Sequence, residues 1–234
     1  MCSNYLPVTR AERLLTYFGV ERARDEPPVD VWPIGLAPFI RLSADGSGGQ
    51  QVDDGIFGLL PSFVTELAAG RRTYNARSET VAIKPSFRDA WRRGQRCIVP
   101  VEVIYEPCWE TGQSVRWAIT QPGGVPFGVA GIWTQWTDPH GIARLSFAML
   151  TVNADGHPVM GRMHRPGEEK RMVVILDPKD YATWLQCPVA EASRYLVPWA
   201  GPLEAQPQPL PPRAPRATSG KLMRRDDDAG TGLF

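Results

Sequence analysis

The residue after the initiator methionine is Cys2, and removal of Met1 would leave an α-amine and a thiol on neighbouring carbons. Such a 1,2-aminothiol captures aldehydes: the amine adds to the carbonyl to give a Schiff base, and the thiol then closes on the imine carbon to make a thiazolidine ring. No internal cysteine offers this chemistry. Ordinary pKa values of about 8 for an α-amine and about 8.5 for a thiol leave a usable fraction of each nucleophilic near neutrality. Glu106, in Tyr105-Glu106-Pro107, ends an apolar run; at a sheet rim, partial burial would raise its carboxyl toward acid–base use. His164 lies in Arg162-Met163-His164-Arg165, and an imidazole is the side chain best suited to shuttle protons near neutrality. Asn75 opens the polar run Asn75-Ala76-Arg77-Ser78-Glu79-Thr80, which reads as a loop with several side chains close together.

The elements that must position these residues follow from spacing. Thr9 and Glu12 make a capping box, and Leu14, Leu15 and Phe18 recur at helical period, so a helix is expected from near Thr9 to about Gly19, leaving Cys2 on a short extended arm. Phe39 to Leu42 and Ile56 to Leu60 read as strands of a hairpin around Asp45-Gly46-Ser47-Gly48-Gly49. A second helix is expected from Ser86, through Phe87, Ala90 and Trp91, to a stop at Gly94. From Cys97 onward, β-rich runs are separated by turn residues: Cys97 to Tyr105, Val115 to Ile119, Phe127 to Trp133, Leu145 to Val152 and Met172 to Leu176. Further helices are expected near Lys179 to Leu185 and Val189 to Leu196. The pattern predicts an α+β fold: one domain with a mainly antiparallel sheet, an open barrel-like core and peripheral helices. Proline-rich and charged residues 203–234 cannot build a core, so the expected domain spans 2–202 and the rest is expected to be a disordered tail.

Composition narrows the function classes. A chain of 234 residues with 43% apolar content can bury one substantial core, and its net charge of +1 provides no global field for nucleic acid. Basic surface must be local: Arg71, Arg72 and Arg77 lie near Arg88, Arg92, Arg93 and Arg96, and a second group holds Arg162, Arg165, Lys170 and Arg171. Cys2, Cys97, Cys108 and Cys187 form no CxxC pair and no metal-ligand spacing, so neither metal nor cofactor is expected and a reducing compartment fits. No apolar run approaches the ~20 residues of a membrane span, and a cytoplasmic protein is expected.

Taken in order, Met1-Cys2, Asn75-Ala76-Arg77-Ser78-Glu79-Thr80, Arg96-Cys97-Ile98-Val99-Pro100, Tyr105-Glu106 and His164 with downstream Arg171-Met172 resemble the SOS response-associated peptidase family, or SRAP domain. Phe57-Gly58-Leu59, Gly131-Ile132-Trp133 and Leu150-Thr151-Val152-Asn153 extend the similarity, which runs from Cys2 to about Leu176. The resemblance implies a DNA-repair role, in which the amino-terminal cysteine attaches covalently to abasic sites in single-stranded DNA and shields them. It further implies Cys2 as nucleophile, Asn75 orienting the opened sugar and the cysteine backbone, Glu106 as acid–base group and His164 serving ring opening and reversal. His157 is the competitor for that last role, but its flanks lack the match. Arg77 would hold a flanking phosphate. Asn4, Arg71, Arg72 and Arg162 complete the expected DNA-binding set with Phe63, which would stack on a base as Trp109 could.

Three departures stand out. Cys2-Ser3-Asn4 replaces the common Cys-Gly-Arg, phenylalanines Phe57 and Phe63 stand where tryptophan is frequent, and Pro166-Gly167-Glu168-Glu169-Lys170 is inserted between His164 and Arg171, which would place His164 on a longer loop. Two other readings use the same residues: an amino-terminal thiol peptidase acting on its own Met1 or another chain, and a non-catalytic single-strand-binding module. A monomer is expected, whose tail would contact replication or repair proteins.

Overall fold

The computed structural model describes residues 2–211. Strand β1 (Asn4–Pro7) is followed by helix α1 (Ala11–Phe18), then strands β2 (Leu36–Leu42) and β3 (Gln50–Phe57). The short strand β4 (Asn75–Arg77) and helix α2 (Arg88–Arg92) precede the long β5 (Arg96–Cys108), β6 (Val115–Thr120), β7 (Phe127–Thr137) and β8 (Ala143–Asn153). Strands β9 (Arg171–Val173) and β10 (Ile175–Leu176), helix α3 (Tyr181–Gln186) and strand β11 (Glu204–Pro207) complete the order.

The core is barrel-like, and its ring is closed. Neighbours run β7, β8, β3, β2, β5, and β5 pairs back to β7 from Arg96↔Ile132 to Val101↔Phe127. Most pairs are antiparallel, as alternation predicts, but β3 and β4 both run parallel to β8. Met149 on β8 pairs with Gly131 of β7 and with Asn75 of β4, so the two partners occupy opposite edges. The interior is filled by rings from several strands, with Tyr5 edge-on to Phe57 at 5.1 Å between centroids and Phe57 stacked on Phe147 at 5.6 Å. Gly58 must be glycine: its φ is +135°, and a Cβ would lie 2.3 Å from the Gly70 carbonyl oxygen. That close approach seats the 3₁₀ turn Leu67–Arg72 just ahead of β4.

Several expected boundaries shift for identifiable reasons. The capping box at Thr9 does not form: its hydroxyl donates to the Glu26 carbonyl, and Asp25 instead receives the Ala11 N–H at 3.1 Å, capping α1 from across the chain. Gly19 ends the helix in the left-handed conformation, as expected. The polar run from Asn75 begins as strand rather than loop, because β8 offers it a free edge. The 202/203 boundary falls short, since Glu204–Pro207 pairs along β6. Its mostly exposed side chains carry no apolar signal; main-chain bonding to an otherwise open strand edge holds it. The remainder of the expected tail, 212–234, lies outside the described residues.

Candidate active site at the amino terminus

β1 runs antiparallel to β5, with Asn4 opposite Tyr105 and Tyr5 opposite Ile104, and so carries the preceding Cys2 to the neighbourhood of Glu106. Cys2 is buried, at 1% exposure. Asn75 Nδ2 donates to its carbonyl oxygen at 2.7 Å, and its thiol lies 3.5 Å from the Asn4 carbonyl. Asn75 Oδ1 is buried and has no hydrogen-bond partner among the described residues. Burial drives the Cys2 thiol far above its ordinary range, and the Glu106 carboxylate adds to the shift. At rest the sulfur therefore carries its proton.

Glu106 is 2% exposed, and burial raises its carboxyl above the ordinary glutamate value, with the positive amino terminus and His164 pulling the other way. His164 Nδ1 stands 3.6 Å from Glu106 Oε2. Its Nε2 is 3.1 Å from the Arg171 carbonyl, an acceptor only, so Nε2 carries a hydrogen while Nδ1 faces Glu106. The His164 backbone is left-handed at φ 64°, a conformation histidine tolerates better than most residues. Its N–H donates to the Pro107 carbonyl at 2.7 Å. The insertion that follows does not loosen this residue. Lys170 folds back and its ammonium donates to three successive carbonyls, of Met163, His164 and Arg165, at 2.8, 3.1 and 3.0 Å.

The four expected reactive residues are thus brought together. His157 is not a rival, because its Nδ1 accepts the Val159 and Met160 N–H groups and its Nε2 meets the Trp199 carbonyl. The expected DNA contacts divide. Phe63, Arg71 and Arg72 are exposed. Arg77 is exposed and paired with Glu169, while Arg162 makes a two-pronged pair with Glu110 at 2.7 and 2.9 Å and lies over the Trp117 ring. Asn4 departs from expectation: it is buried, its amide oxygen receives Arg116 and its nitrogen donates to Val31, so it ties the amino-terminal strand to β6 instead of facing solvent.

Residues that sequence reasoning missed support the cluster. Trp117 sits directly opposite Glu106 across the β5–β6 ladder, a register that the turn around Glu110 to Gln113 would have set. Arg171, at 2% exposure, is clamped by Glu79, Glu169 and Thr151. A separate surface groove of about 970 Å³ is lined by residues such as Trp32, Leu36, Arg22 and Leu145, and by none of the four reactive residues. Among the described residues no cluster has the ligands to hold a metal ion, and no helix is long and apolar enough to cross a membrane.

A mostly antiparallel barrel thus carries Cys2 beside a buried Glu–His pair. The profile described as SOS response associated peptidase (SRAP) matches residues 1–207, and the chain belongs to that family. Among curated proteins it is similar to the abasic site processing proteins YoqW and YoaM of Bacillus subtilis, at 25% and 27% identity over 192 residues, covering 79% of this chain and 80% and 79% of theirs. Among solved structures, a Bordetella bronchiseptica protein superimposes with TM-score 0.81 at 36% identity, over 89% of this chain and all of that one. A Bacteroides thetaiotaomicron protein does so with TM-score 0.71 at 24% identity, over 87% and 90%.

Proposed function

We propose that this protein captures abasic sites in single-stranded DNA, with Cys2 forming a thiazolidine crosslink after Met1 is removed. The observation that carries this reading is the docking of Cys2: Asn75 fixes its carbonyl, and its buried thiol lies close enough to Glu106, the partner of His164, to feel that carboxylate's charge. The names of the Bacillus relatives support the substrate class.

The steps balance with the groups present. His164 Nδ1 takes the proton of the sugar's anomeric hydroxyl while Glu106 gives one to the ring oxygen, releasing the aldehyde. The Cys2 amine adds to the carbonyl carbon and passes a proton to the new oxygen; the proton taken up by His164 Nδ1 returns to Glu106, 3.6 Å away, which hands it to the departing hydroxyl, and that leaves as water. The Cys2 sulfur then bonds to the iminium carbon and its proton passes to the Glu106 carboxylate, restoring the carboxyl. Asn75 Oδ1, a buried acceptor beside Cys2, suits a hydroxyl of the opened sugar. A thiol peptidase is less well supported, because its sulfur must attack first, with no iminium charge to draw it, and burial holds this one protonated. The finer assignments, a monomer acting on DNA damage in the cytoplasm and a tail that meets repair partners, belong to the same proposal.

The test is incubation of protein lacking Met1 with single-stranded DNA bearing one abasic site, resolved on denaturing gels. Wild type should give a heat-stable crosslink, Cys2→Ala none, and Glu106→Gln slower formation by roughly 10²- to 10⁴-fold, the range for loss of a general acid–base. Equal crosslinking by Cys2→Ala would refute the assignment, and blocking only the α-amine should abolish the product although the thiol remains.

A further inference from the structure

Two arginines flank the reactive cluster, and a loop glutamate occupies each. Arg77 lies two residues after Asn75 on β4, and its Nη1 is 2.8 Å from Glu169 Oε2. The other carboxylate oxygen, Oε1, is 2.5 Å from Arg171 Nη1. Arg162 lies over Trp117, the cross-strand neighbour of Glu106, and donates to both oxygens of Glu110. A carboxylate on a guanidinium presents its two oxygens as a phosphate would.

We propose that Glu169, and in parallel Glu110, are specificity-determining residues: internal stand-ins for DNA phosphate that weaken binding to undamaged single strands. The inference rests on the reading above that this face meets DNA. Every phosphate of a single strand could engage a bare arginine, damaged or not, so free guanidinium groups here would favour undamaged DNA wherever it is in excess. With both arginines occupied, retention depends on the covalent bond that only an aldehyde can make.

The geometry suits exchange. The Arg77 and Glu169 side chains are 45% and 37% exposed, and ion pairs at such exposure are weak, so a phosphate can take the place of the carboxylate. Arg171 is buried and holds the second Glu169 oxygen, with Glu79 and Thr151 as its further partners. Releasing Arg77 therefore leaves the inserted loop anchored.

The test measures non-covalent binding of Cys2→Ala protein to an undamaged single-stranded oligonucleotide by fluorescence anisotropy at low and moderate salt. Glu169→Gln should tighten binding roughly 2- to 5-fold, the equilibrium equivalent of one exposed ion pair. Glu168→Gln, the same charge change at the exposed neighbour in the loop, should give a smaller gain, and Arg77→Gln should erase the gain from Glu169→Gln. Glu110→Gln repeats the measurement on Arg162 through an unrelated loop, and thermal melting of each variant checks that it is folded. Unchanged or weaker binding by both glutamine variants, an equal gain from Glu168→Gln, or a gain that survives Arg77→Gln would overturn the proposal. The oligonucleotide carries no aldehyde, so this failure is distinct from failure of the wild type to crosslink an abasic strand, which would strike the functional reading itself.

Discussion

Asn75→Ala isolates the contact on which the docking of Cys2 depends. Strand β1 begins only at Asn4, so Cys2 lies outside the ladder with β5, and the 2.7 Å bond from Asn75 Nδ2 satisfies its buried carbonyl. Removing the amide leaves that carbonyl without its donor, at a cost of about 1–3 kcal/mol for a buried unsatisfied group. The chain can escape the cost by releasing Cys2. At about 1.4 kcal/mol per tenfold, the docked population then falls roughly 5- to 150-fold, and the crosslinking rate constant at saturating abasic DNA should fall with it. The rest of the arm stays in place, because Tyr5 exchanges main-chain bonds with Val31 in both directions and β1 remains paired with β5. The melting temperature should therefore drop by no more than a few degrees. Asn75→Asp separates shape from donation: it keeps the outline but turns an anionic oxygen toward the Cys2 carbonyl, and should be at least as slow as alanine. The assay is a quenched time course on denaturing gels. A wild-type rate constant at saturation for Asn75→Ala, or full activity in Asn75→Asp, would refute the docking argument.

Two further outcomes follow from the same geometry. Burial raises the Glu106 carboxyl, so the folded state holds its proton more tightly than the unfolded chain does, and this contribution is complete below the ordinary glutamate pKa and lost as pH rises through the folded value. Glu106→Gln should thus gain stability relative to wild type as pH climbs through that window; denaturant titrations at a series of pH values check this, and a pH-independent difference would contradict it. Lys170→Met removes the ammonium that binds the Met163, His164 and Arg165 carbonyls. It should slow crosslinking roughly tenfold while leaving DNA affinity intact, and the His164 ring nitrogen shifts should lose the Nε2–H signature of one fixed tautomer; a wild-type rate and spectrum would show that Lys170 holds nothing that matters.

What the sequence made legible was local. Turn residues between β-rich runs located most of the long strands, and the candidate site residues stood out because few residue types do acid–base or aldehyde chemistry. What it hid was pairing between distant segments. Closure of the ring by β5 against β7, and the edge of β8 that turns Asn75 to Arg77 into strand, depend on partners separated by many residues. β11 has mostly exposed side chains and is held by main-chain bonds, so no apolar pattern announced it. Thr9 followed by Glu12 met the local rule for a cap, but the Glu26 carbonyl and Asp25 supplied better partners. Asn4 reads in the sequence as a DNA contact beside Cys2, and only the fold brings Arg116 and Val31 to its amide.

On the proposed reading, burial also dictates the order of bond formation. A thiol driven above its ordinary range by desolvation and by the Glu106 carboxylate cannot open the reaction as a thiolate. The amine must therefore go first. Once the iminium forms, a positive charge stands on the carbon next to the sulfur's reach, and the environment that penalised a lone thiolate now favours transferring its proton to Glu106 as the carbon–sulfur bond closes. On that reading, burial that disfavours a lone Cys2 thiolate delays the sulfur until the residue's own α-amine has caught an aldehyde. A cysteine on a solvated arm would lack that discrimination, which gives the Asn75 contact a chemical purpose beyond holding the chain in place.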